Sequence, residues 1–243
     1  TYCVNDSNPT PTITTPGGAF SSSASLTLNT VTGEITTSTS SPGTYTVTYT
    51  TAGTCTDTSS VEVTIYALDN ASFSYDSSSY CVSDTDPIPS LTASQTLIGG
   101  TFSSTNGLSF TSSATGIIDL SASTAGTYTV TFTTAGNCPQ SSSVTITIND
   151  LDDASFSYAK ATYCENESDP SAVITGITSG TFSSLSGLVF TNTSSGTIDL
   201  DASIPGTYTV TYTTSGTCTN TSSFEITINA LDNADFNYNS PTY

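Results

Sequence analysis

The sequence has no histidine, no methionine and no tryptophan, and Lys160 is its only basic side chain. Without histidine, neither a Ser-His-Asp nor a Cys-His arrangement can be built, and a zinc site loses its usual nitrogen ligand. One cation against 20 carboxylates leaves a net charge of −19, which repels nucleic-acid phosphates and anionic lipid heads. No apolar run approaches the roughly 18 residues of a membrane span, so neither nucleic acid nor membrane insertion is expected. No basic leader with a cleavage site opens the chain, so any signal peptide is expected outside these residues. Only 9% of residues are charged, and such a Ser/Thr-rich chain would read as disordered if it carried no pattern.

It does carry one. Tyr2-Cys3, Tyr80-Cys81 and Tyr163-Cys164 open similar units, and Tyr243 falls where a fourth would open, at intervals of 78, 83 and 80 residues. Each unit continues with a Gly-Phe word ending at Phe20, Phe102 or Phe182, then a strand at Ile35, Ile118 or Ile198. PGTYTVTYTTAGTC, AGTYTVTFTTAGNC and PGTYTVTYTTSGTC follow, and LDNASFSY, LDDASFSY and LDNADFNY close the periods. Internal repetition of this length marks an array of modules.

Within each unit the apolar residues alternate. Tyr45, Val47 and Tyr49 face one way between threonines, and Val61, Val63 and Ile65 repeat the pattern beyond a Gly-containing turn. This period of two predicts half-buried antiparallel strands paired as a hairpin, and no stretch shows a helical period. The fold expected is all-β, with tandem immunoglobulin-like β-sandwich modules arranged end to end. The Gly-Thr-Tyr start of the main strand suggests a tyrosine corner. Ala71, Phe73 and Tyr75 alternate with serines, so ASFSY reads as an opening strand. That phasing gives repeats at 1–70 (lacking its first strand), 71–153 and 154–233, with 234–243 opening a further one. Either the repeats belong to a longer array, or the C-terminal strand completes a neighbouring subunit by donor-strand complementation.

The six cysteines fall two per repeat, separated by 52, 57 and 54 residues. They are expected as structural disulfides of an oxidising compartment. Cys3–Cys55, Cys81–Cys138 and Cys164–Cys218 is the pairing that keeps each bond within a repeat, and bonding between neighbouring modules is its rival. Acidic residues recur too. After each Tyr-Cys comes Asp6 with Asn8, Asp84 with Asp86, or Glu167 with Asp169; the junctions carry Asp69-Asn70, Asp152-Asp153 and Asp232-Asn233. Carboxylates spaced two apart beside a turn can ligate calcium, making Asp69, Asp84, Asp86, Asp152, Asp153, Glu167, Asp169 and Asp232 candidate ligands. The plainer reading is that they cap turns and keep the surface soluble. No other cofactor is expected.

An enzyme is not expected. Paired carboxylates of a glycosidase need a cleft, and an active site repeated three times in one chain has no precedent in this inventory. Lys160 has no counterpart in the other units, which excludes Lys–Asn isopeptide bonds from the repeat design. The Gly99-Gly100 word precedes a strand and not a helix, so no phosphate cradle is implied. The threonine ladders permit an ice-binding face, though threonine is also simply a good strand former.

At GGTFSS, TGIIDLSAS, GTYTVTFTTAGNC and the closing VTITI, the chain resembles the Ig-like repeats of giant Bacteroidota surface proteins. These include gliding-motility adhesins and filaments exported by the type IX system. The resemblance implies a cell-surface or extracellular fibre whose repeats space or assemble an adhesive structure. Its partners would be further repeats of the chain or neighbouring copies, with surface glycans or abiotic surfaces as targets. A carbohydrate- or surface-binding module acting through its own loops is the alternative; it predicts one repeat with an aromatic-rich patch, and the words show none. The family supplies no catalytic residues to transfer.

Overall fold

A computed structural model describes residues 1–238, leaving 239–243, Tyr243 included, outside the described residues. The chain divides into two compact units. The first comprises Thr1–Ser78, Thr85–Ser123 and Thr127–Thr147; the second comprises Ser79–Asp84, Thr124–Gly126 and the residues from Ile148 onward.

In the first unit, the alternating run folds as expected into the hairpin Gly43–Thr50 and Thr58–Tyr66, in register from Gly43↔Ile65 to Thr50↔Thr58. Ala19–Ser22 adds antiparallel on one side, setting Phe20 opposite Tyr49. Tyr2–Cys3 adds on the other side, parallel, with Cys3 level with Tyr66. This register turns Phe20, Tyr45, Val47 and Ile65 to one face, where they bury with Ile35. Burial of each such side chain is worth roughly 1.5–3 kcal/mol. The threonines of the opposite face pair across the hairpin, Thr44 with Thr64 at 3.1 Å and Thr48 with Ser60 at 2.8 Å. The second repeat's Gly100–Ser104 pairs with Gly126–Thr134 in the same manner, Phe102 opposite Phe132. Ser109–Phe110 and Ile118–Asp119 form a separate small ladder.

The second unit repeats the plan. Gly206–Thr214 and Thr221–Asn229 form the hairpin, flanked by Gly180–Ser183 and by the parallel strand Thr162–Cys164. Two short antiparallel ladders, Phe156–Ser157 with Val173–Ile174 and Val189–Asn192 with Thr197–Asp199, supply the second layer. Ile198, Leu200, Val210, Tyr212, Ile226 and Ile228 meet between the layers. The protein is thus an all-β set of immunoglobulin-like sandwich modules.

Two details follow from local chemistry. The expected tyrosine corner forms: Tyr45 Oη donates to Ser41 O at 2.6 Å, and Tyr208 Oη to Ile204 O at 2.5 Å, each four residues upstream. The turn before each inner strand needs glycine, since Gly116 sits at φ +69° and a Cβ there would lie 2.6 Å from the Phe102 ring.

One expectation is corrected. The sequence shows no helical period, yet Ala93–Ile98 is an α-helix. Six residues are too few to display a 3.6-residue repeat, and its start is set by a cap. The Gln95 side-chain oxygen accepts from Thr92 N at 2.5 Å, while its Nε2 donates to Ser72 O in the opening segment.

Candidate functional site

The feature built most elaborately is the joint where one repeat's closing word meets the next repeat's hairpin loop. It occurs once in each unit with the same parts. In the first, the Asp69 carboxylate accepts from Thr134 Oγ1 at 2.8 Å and Gly136 N at 3.0 Å, while Asp69 N donates to Cys138 O. In the second, Asp152 accepts from Thr214 Oγ1 at 2.8 Å, Gly216 N at 2.9 Å and Cys218 N at 3.4 Å, and its own N donates to Cys218 O. Glycine is required in the loop because a Cβ at Gly136 or Gly216 would come within 2.5 Å of the aspartate oxygen.

The opening segment then lies down in the receiving module. Ser142 Oγ donates to Ala71 O, and Ser222 Oγ to Ala154 O. Phe73 meets Phe102 edge-on at 5.3 Å, and Phe156 meets Phe182 at 5.0 Å and Tyr212 at 6.0 Å. The following tyrosine reaches the glycine turn: Tyr75 Oη donates to Gly116 O and Tyr158 Oη to Gly196 O, both at 2.5 Å. Burial raises the Tyr158 phenol above its ordinary value, keeping it a neutral donor. ASFSY therefore acts as the opening strand the alternation predicted, with Ala71, Ala154 and Tyr158 buried.

A covalent bond closes each joint, and it corrects the pairing expected within a repeat. The disulfides are Cys3–Cys138 and Cys81–Cys218, spanning 135 and 137 residues. Cys3–Cys55, Cys81–Cys138 and Cys164–Cys218 do not form, and Cys55 and Cys164 are free thiols. The reason is hairpin length. Cys3 lies level with Tyr66 at one end of the hairpin, whereas Cys55 lies in the turn after Thr50 at the other. Eight residues of strand put them ~26 Å apart, far beyond the roughly 7 Å Cα separation a disulfide tolerates. The rival, bonding between neighbouring modules, is the pattern formed.

The candidate calcium ligands take separate backbone partners. Asp84 accepts from Cys81 N and Glu167 from Cys164 N, each closing a turn under its cysteine, as Asp6 does for Cys3. Asp86 accepts from Leu120 N and Asp169 from Leu200 N, tying the proline word to the inner strand. Asp153 accepts from Ser155 N, and Ser155's hydroxyl and N–H hold its carboxyl below the ordinary carboxylate value. Lys160, followed by the Cys164 N–H, holds Glu167 below its ordinary value. Asp69 and Asp152 serve the joints, and Asp232 lies in an exposed segment. Among the described residues, no three His, Cys, Asp or Glu side chains gather where they could share a metal. The turn-capping reading describes their geometry.

Sequence reasoning missed the receivers of the aspartates, Thr134 with Gly136 and Thr214 with Gly216. The signal was present in the constant Thr-x-Gly-x-Cys after each hairpin strand.

No family model and no curated protein matches the chain. Among solved structures it is similar to mouse cadherin-23 repeats EC22–24, at 14% identity and TM-score 0.33, covering 88% of this chain and 86% of that one. It is also similar to repeats EC3–6 of protocadherin gammaB7, at 14% identity and TM-score 0.35, covering 94% and 71%.

Proposed function

We propose that the chain is a run of non-enzymatic structural repeats from an extracellular fibre or adhesin stalk, spacing or assembling an adhesive structure. The observation that carries this is the repeated joint. Each repeat's opening cysteine is bonded to the hairpin loop of the repeat after it, and the intervening aspartate is locked onto that same loop. A module that recognises ligands through its loops keeps those loops free; here they are consumed by the neighbouring repeat. The boundaries that go with this reading are 1–70, 71–153 and 154–233. Disulfides of this kind suit an oxidising, secreted setting, and no helix among the described residues is long and apolar enough to cross a membrane. The words shared with Bacteroidota surface filaments agree with that placement.

Force spectroscopy of single chains held at both ends tests the reading. Oxidised chains are expected to lengthen far less on unfolding than reduced ones, because both staggered loops stay closed. Equal lengthening, or selective binding of the monomer to arrayed glycans, would overturn it.

A further inference from the structure

The joint seen twice has unmatched halves at either end of the chain. In the first repeat, a groove of about 710 Å3 is lined by Phe20, Gly33, Tyr49, Ser59 and Val61. These stand at the positions of the residues that receive the opening segment elsewhere: Phe182, Gly196, Tyr212, Ser222 and Phe224 in the third repeat. Val61 at the groove is 61% exposed. Its loop is already shaped, because Asp57 N donates to Thr51 Oγ1 at 2.9 Å, as Asn220 N does to Thr214 Oγ1 at 2.8 Å. Thr51, Gly53 and Cys55 thus present the receiving triplet, with Cys55 exposed.

The other half is the segment Leu231 to Tyr238, LDNADFNY. Phe236 is 81% and Tyr238 84% exposed, whereas the equivalent Tyr158 is 5% exposed. The two rings nonetheless hold the edge-on geometry of the docked segments: 5.9 Å and 82° here, against 6.0 Å and 82° for Phe73–Tyr75 and 6.1 Å and 84° for Phe156–Tyr158. Leu231 N donates to Glu165, so the segment leaves the third repeat beside the free thiol of Cys164.

We infer that residues 231–238 of one copy of the chain dock in the first-repeat groove of a second copy, and that Cys164 of the first then bonds to Cys55 of the second. Asp232 takes the Thr51 hydroxyl and Gly53 N–H, Phe236 stacks on Phe20 and Tyr49, and Tyr238 donates to Gly33 O. This is strand addition in which backbone contacts give affinity and alternate side chains give register. Bond formation removes two electrons and two protons from the thiols; a small-molecule disulfide such as oxidised glutathione accepts both, leaving as two thiols. The contact is heterologous, so it propagates head to tail into a filament and not a closed dimer.

The inference rests on the fibre reading and extends it to assembly between chains. Its test is the full chain incubated in a glutathione redox buffer and run on a non-reducing gel. A ladder at multiples of the chain mass is expected, with the Cys55–Cys164 peptide as its cross-link. The F236A/Y238A variant, altered only at exposed side chains, should form the ladder roughly 100-fold more slowly, the scale of losing two buried aromatic anchors. Under reducing conditions, a dye-labelled peptide of residues 230–238 should bind the chain, and its F236A/Y238A version should not. A chain that stays monomeric, Cys55–Cys55 and Cys164–Cys164 links in equal yield, or a variant that oligomerises at the wild-type rate would overturn it. Single-chain extension does not depend on assembly, so failure here leaves the stalk reading to its own test.

Discussion

The first and third repeats share a hairpin, a corner tyrosine and a glycine turn, but differ in what covers them. In the third, Tyr212 is 0% exposed beneath Phe156, and Phe224 is half-buried against the same ring. In the first, Tyr49 is only half-buried and Val61 stands in solvent. The four-stranded sheet and its small core nonetheless form in both. The lesson is a division of labour within one motif. The hairpin words make the module, and the LD-x-A-x-F-x-Y word makes the joint, drawing on a surface the module presents whether or not it is covered.

The comparison breaks most severely at the covalent link. Cys81→Ser with Cys218→Ser opens a 137-residue loop, at a cost of ~5 kcal/mol in the chain-entropy picture. Denaturant unfolding without reductant should show it, whereas Cys55→Ser should leave the monomer unchanged. Next in size is Phe156→Ala, expected to cost ~3 kcal/mol by opening the covered groove. Its counterpart Phe236→Ala, on a solvated ring, should stay within about 0.5 kcal/mol in the monomer. Paired melting curves for those two variants measure how far the covered and uncovered states differ. Asp152→Ala should cost ~2 kcal/mol, because Thr214 Oγ1 and Gly216 N lose a charged acceptor in a buried loop; Asp232→Ala should cost the monomer nothing measurable.

The smallest effect is on pH. Glu167 titrates below its ordinary value in the folded chain, so its contribution is present above the unfolded value and fades as pH falls through the folded one. Lys160→Ala should move the Glu167 midpoint upward, read by carboxyl NMR shifts. Asp84, the equivalent position, has no lysine before it and should be unaffected.

What could be read from the sequence is what a few neighbouring residues decide. The alternation of Tyr45, Val47 and Tyr49 fixes a strand face, and Gly-Thr-Tyr fixes a corner, because both depend on local geometry. The cysteine partners do not. Repeat symmetry demands only that every repeat be treated alike; Cys3–Cys55 and Cys3–Cys138 both satisfy that. Choosing between them requires knowing that Tyr2–Cys3 runs parallel to Thr58–Tyr66 and so ends at the pole away from the turn. The acidic words were legible as turn caps, since Asp84 and Glu167 each act three residues from their partners. Asp69 and Asp152 were not, because their receivers lie 65 and 62 residues away.

The staggered bonds also govern how the chain tolerates damage. The intervals 3–138 and 81–218 overlap, so every peptide bond from Cys3 to Cys218 is bridged by at least one cystine. A protease that nicks the backbone anywhere in that span leaves a single covalent molecule. Bonds confined to each repeat would have left 56–80 and 139–163 as severable links, where one cut parts the strand. Like a rope spliced with overlapping lays, the array fails only when a cut and a reduction coincide.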